Sequence, residues 1–107
     1  MEKAIIERLE KIAQKFREIE ESLGKPEVIA DQKKFQALAR EHKELQPVYE
    51  TYMEYKKVKK GIEEALEIIE SGDDELVELA KEEKKELEER LESLEEELKK
   101  LLIPKDP

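Results

Sequence analysis

The chain has 107 residues, 48% charged, 37% apolar and only 5% aromatic, with a formal net charge of -9 and no cysteine. That composition belongs to long amphipathic helices or coiled coils and argues against a sheet protein or a pocket-bearing enzyme. Lacking cysteine, the chain has no disulfide, thiolate chemistry or Cys-ligated metal, and its negative charge disfavours general phosphate binding, which depends on Lys and Arg displacing counterions.

From the N-terminus, Ile5, Leu9, Ile12, Phe16, Ile19 and Leu23 alternate spacings of four and three, which places them on one helical face. Gly24 follows where a left-handed C-terminal cap is expected, and Pro26 then blocks continuation. A first helix over residues 3–23 results. The opening "MEKAIIERLEKIAQ" has charges spaced among its apolar residues, unlike a signal or transit peptide. No apolar run reaches the roughly 18 residues of a membrane span. The expectation is a soluble, cytoplasmic protein with no membrane partner.

After a connector "KPEVIA", Asp31 is placed to cap a second helix, on which Phe35, Leu38, His42 and Leu45 share a face. Pro47 lacks a backbone donor and pushes on the carbonyl four residues back, so the spacing predicts a kink or short break there. Tyr52, Tyr55, Val58, Ile62, Leu66 and Ile69 then carry a stripe on to "SGDDE". Gly72 offers a C-terminal cap, and Asp73 or Asp74 an N-terminal one. In the last helix Leu87, Leu91, Leu94, Leu98 and Leu101 form the cleanest heptad, with Leu76, Leu79 and Ala80 extending its face more loosely.

These patterns predict an all-α fold: an elongated antiparallel bundle of three long helices, the middle one kinked or broken near Pro47, with coiled-coil-like packing. Residues 1–103 form the helical bundle domain, and residues 104–107 start a linker to a domain absent from this chain. The acidity is concentrated at the end. Residues 70–98 contain 14 acids and 4 bases, leaving 16 acids and 17 bases elsewhere.

Few side chains invite a chemical role. His42 is the sole histidine, but Glu41 and Glu44 point away from it on a helix, so it reads as the edge of a packing stripe. The "DDE" at 73–75 lacks the alternating oxygen ligands and central glycine of a calcium loop, and helix capping accounts for it. Tyr49, Tyr52 and Tyr55 beside "KKVKK" at 56–60 suggest an RNA-stacking patch. An antiparallel hairpin turning near residue 73 instead sets position 58 opposite about 88, turning the lysines toward Glu86, Glu88, Glu89 and Glu92 and the tyrosines toward the core. RNA contact is left as a weak alternative. The reading assigns no catalytic, cofactor-binding or metal-ligating residue, no cofactor and no small-molecule substrate, and leaves partner-binding residues unassigned.

Three irregular stretches are more distinctive: "LGKPEVIADQKKFQALAREHKEL" at 23–45, "SGDDELVELAKEE" at 71–83 and "LLIPKDP" at 101–107. Together they resemble the N-terminal helical domain of bacterial class I peptide chain release factors, and the closing stretch resembles the branch that reads UAA and UAG. Pro47 departs from the family's pattern. In that family the chain continues into a Gly-Thr-Gly-Gly stretch, a codon-reading tripeptide and a Gly-Gly-Gln loop, none of which occurs here. The resemblance therefore implies an N-terminal fragment that acts in translation termination as a ribosome-docking accessory module and is not itself an enzyme. It also implies two partners, the stalk-base region of the ribosome and the GTPase release factor, for a monomer or weak homodimer. The alternative is a free-standing acidic coiled-coil structural or adaptor protein that self-associates through its leucine stripe.

Overall fold

The computed structural model describes residues 1–104, and every regular element among them is helical. α1 spans Lys3–Leu23, α2 Pro26–Ile29, α3 Gln32–Ser71 and α4 Asp74–Leu101. Of the expected linker start at 104–107, residues 105–107 lie outside the described residues. The chain divides into two compact units, Met1 to Tyr52 and Met53 onward, so the boundary falls inside α3.

In the first unit α1 runs antiparallel to the first part of α3. Glu10 near the start of α1 accepts a hydrogen bond from the Tyr52 hydroxyl at 2.7 Å, while Glu20 near its end approaches His42. The expected stripe forms with a small rotation. Leu9, Phe16 and Ile19 are buried as anticipated, but Ala13 is fully buried where Ile12 is only half-buried. A small side chain on the innermost line lets neighbouring groups approach closely.

The left-handed cap expected at Gly24 does not form. Its φ is -90°, and α1 closes through Gly24 N–H on the Glu21 carbonyl and Lys25 N–H on the Ser22 carbonyl, each at 3.1 Å. These tight three-residue bonds satisfy carbonyls that a left-handed glycine would otherwise serve. The chain then enters α2 directly. Pro26 occupies its first turn, where a missing N–H costs nothing, and Val28 is buried, so the predicted plain connector contains a helical turn anchored in the core. Asp31 caps α3 as expected, its Oδ1 accepting the Lys34 N–H at 3.2 Å.

The middle helix is not broken at Pro47: α3 is helical from Gln32 to Ser71. Pro47 deprives the Lys43 carbonyl of its donor, yet both residues are exposed, so water can satisfy that oxygen. The surrounding helix supplies the rest of the ladder.

In the second unit the latter part of α3 and α4 form an antiparallel hairpin. Arg90 binds Glu54, and Gly61 faces Leu87, the register expected from a turn near residue 73. Tyr55, Val58 and Ala65 are buried on α3, with Ala65 inside where Leu66 was expected, and Leu66 partly exposed. On α4, Leu94 and Leu98 are fully buried and Leu87 and Leu91 half-buried. Leu101 points outward and Leu102, just past the helix end, is buried instead.

Two residues close the hairpin. Asp73 accepts the Leu76 N–H at 3.1 Å, while Asp74 and Glu75 in the first turn and Lys99 and Lys100 in the last complement the helix dipole. Gly72 is demanded by space rather than by a positive φ, since a Cβ there would stand 2.5 Å from the Ile68 carbonyl oxygen. That oxygen belongs to the backbone and cannot move aside.

Urea unfolding followed by circular dichroism checks this packing. Leu98→Ala should cost about 2–5 kcal/mol, because it empties a fully buried site. Gly72→Ala should cost more than about 1 kcal/mol, because the clash outweighs the entropy gained by restricting the unfolded chain.

Candidate functional site

α1 and α3 bring three rings together in the first unit. Phe16 stacks on His42 at 4.4 Å between centroids and on Tyr49 at 4.2 Å, with interplanar angles of 24° and 23°. His42 and Tyr49 lie two turns apart on α3, so the phenyl ring is held between them. The His42 Nε2 is buried, and its nearest acceptor, Glu20 Oε1, is 3.6 Å away, too long for a hydrogen bond. His42 is thus a packing residue at the edge of the stripe. On the rim, Lys15 Nζ lies 2.6 Å from Glu41 Oε1, and that carboxylate holds the ammonium above its ordinary pKa.

The tyrosines do not form a stacking platform. Tyr52 and Tyr55 are buried at 2% and 3% exposure, and Tyr49 is occupied by Phe16. The aromatic half of the RNA-binding pattern is therefore spent on the core. Burial, reinforced by the Glu95 carboxylate, also raises the Tyr55 phenol above its ordinary pKa.

Across the α3/α4 hairpin one ion pair has the opposite polarity to the expected lysine-to-glutamate pairing. The acid lies on α3 and the base on α4: Arg90 Nε and Nη2 both donate to Glu54 Oε1, at 2.9 and 2.6 Å. Lys57, Lys59 and Lys60 make no ion pair within 4.0 Å among the described residues. α4 instead binds part of its own charge, Lys84 to Glu88 at 3.2 Å and Lys81 to Glu78 at 3.7 Å.

Two surfaces of the second unit remain open. One is a groove of about 500 Å³ between α3 and α4, floored by Val58, Gly61 and Leu87 and edged by Lys57, Lys60, Glu64 and Glu83. The other is the closed end of the hairpin, where Leu76 and Leu79 are 53% and 63% exposed and Leu66 and Ile68 are also partly exposed. Leu76 and Leu79 share one face of α4 at a spacing of three, among Asp73, Asp74, Glu75 and Glu78. The sequence pattern places both leucines on the packing face, and the structure does not. Their exposure follows from the turn, because the heptad that buries Leu94 and Leu98 loosens before it reaches the first turn of α4.

Among the described residues no group of three or more His, Cys, Asp or Glu side chains could hold a metal ion, and no helix is long and apolar enough to cross a membrane.

Comparison with known proteins gives the geometry a context. A family model described as the PCRF domain matches residues 12–107. The chain is 43% identical over 104 residues to peptide chain release factor 1 of Lachnoclostridium phytofermentans and 42% identical over the same length to that of Caldicellulosiruptor saccharolyticus. It is 45% identical over 104 residues to peptide chain release factor 1 of Clostridioides difficile. Each alignment covers 96% of this chain, which spans 29% of the length of each relative. No solved structure matches the chain significantly.

The Glu54–Arg90 pair and the buried phenol make two measurable claims. A double-mutant cycle on Glu54 and Arg90 should return about 0.2–1 kcal/mol, the range for exposed pairs, and should shrink with added salt. Above about pH 10 the unfolded chain releases the Tyr55 proton before the folded chain does, so stability should fall with rising pH. Chemical denaturation across that range should show a smaller decline for Tyr55→Phe.

Proposed function

The chain belongs to the PCRF domain family, and from that premise we propose that it serves translation termination as the N-terminal helical domain of a release factor acting at UAA and UAG codons. In this reading it is a docking module that does not itself release peptide. Residues 1–103 act as the docking domain, and the segment from 104 leads toward the part of the protein that reads codons.

The observation that carries the reading is the hairpin end, which combines exposed Leu76 and Leu79 with the start of the most acidic stretch of the chain. Large apolar groups ringed by acids suit a partner that offers apolar sockets within a basic surface. The stalk-base region of the ribosome with its attendant GTPase release factor is the docking place we propose. Acidic side chains would speed and orient the encounter, while the leucines would supply most of the affinity.

Cosedimentation of the chain with purified ribosomes tests this directly. Binding should be present at about 50 mM monovalent salt and largely lost by about 500 mM, as expected for screened charges. The double substitution Leu76→Ser with Leu79→Ser should weaken binding about tenfold or more at unchanged helicity, because both side chains are exposed. Failure to sediment with ribosomes at low salt, or binding indifferent to the leucines, overturns the assignment.

A further inference from the structure

The α3/α4 groove lies away from the hairpin end and has its own chemistry. Its floor is low because Gly61 carries no side chain at the point where α3 approaches α4. A Cβ there would stand 3.0 Å from Leu87 Cδ1, close contact with the end of a flexible side chain. A glycine inside a helix is less favourable than alanine, so the position gives up helix propensity and leaves a hollow between Val58 and Leu87. The volume of about 500 Å³ is large enough for one or two aliphatic side chains.

Charge along the rim has an order. At the end away from the turn Glu54 is already satisfied by Arg90. Lys57 and Lys60 come next, and Glu64 on α3 and Glu83 on α4 lie beyond them toward the turn. None of these four makes an ion pair within 4.0 Å among the described residues. Lys57 and Glu64 are seven residues apart, or about 10 Å along the helix. A small anion held by the lysines would also meet Glu64 and Glu83. An extended strand would find no unpaired backbone edge on two helices.

We propose that this groove is the docking site for a single amphipathic helix of a protein partner, with an aliphatic anchor over Val58, Gly61 and Leu87, an acidic residue toward Lys57 and Lys60 and a basic residue toward Glu64 and Glu83. The acid and base lie about two helical turns apart on the partner, flanking the anchor. Exposed charges of this kind select a partner and its direction more than they add affinity, so the complex is weak and orientation-specific. The inference is independent of the ribosome-docking role assigned to the hairpin end.

The test is selection of helical peptides from a displayed random library on the full 107-residue chain, and then amide chemical-shift mapping with the synthesised winners. The expected winners share the order acid, aliphatic, base, and shift Gly61, Val58 and Leu87. The double substitution Lys57→Glu with Lys60→Glu, checked for unchanged helicity, should weaken them about tenfold and favour peptides with a base at that end. The proposal is overturned if no peptide is recovered, if the shifts miss the groove or if the winners lack charge order. Indifference to the double substitution, or a concentration-dependent dimer of the chain that itself covers Gly61, overturns it equally.

Discussion

Only Gly72 and Asp73 separate the last residue of α3 from the first residue of α4. A link this short leaves the two helices no arrangement but a hairpin, and its atoms fix the register of one against the other. Gly72 passes the Ile68 carbonyl at a distance no side chain would allow, and Asp73 turns to cap α4. With that corner set, Gly61 meets Leu87 and Glu54 meets Arg90 further down. The groove, the ion pair and the exposed leucines are all consequences of where the turn falls.

Most helix boundaries are legible in the sequence because the signals marking them are local. Asp31 and Asp73 each act within one turn, and the structure uses both at helix starts, whereas Pro26, expected only to stop α1, also opens α2. Alternating fours and threes likewise locate the buried faces of α1 and α4. Where expectation and structure part, the competing influence comes from the partner helix. The packing partner selects Ala13, Ala65 and Leu102 for burial over the neighbouring Ile12, Leu66 and Leu101. Nothing in a single helix's spacing reports that choice. Of the kink or break expected at Pro47, the break does not occur, and the residues around the orphaned carbonyl are exposed to water.

The interaction surfaces are harder to see. Leu76 and Leu79 have the identity and spacing of core residues, and only the three-dimensional hairpin leaves them outside. The lysines of "KKVKK" point to pairing across the hairpin, but no spacing marks the crossing between Glu54 and Arg90, where the acid lies on α3 and the base on α4. Composition says that charge decorates the helices, but not which charges meet. The distinctive stretches around Gly24, Gly72 and Pro104 tell more about family than any periodicity does, because amphipathic helices share one grammar and turns do not.

The ring sandwich in the first unit has a dynamic consequence. Phe16 has an imidazole on one face and a phenol on the other, both anchored on α3, while its own backbone belongs to α1. A phenyl ring gripped on both faces can turn over only when the two helices briefly part. The flip rate of this one ring therefore serves as a clock for the breathing of α1 against α3, a motion that a static picture of buried area leaves invisible.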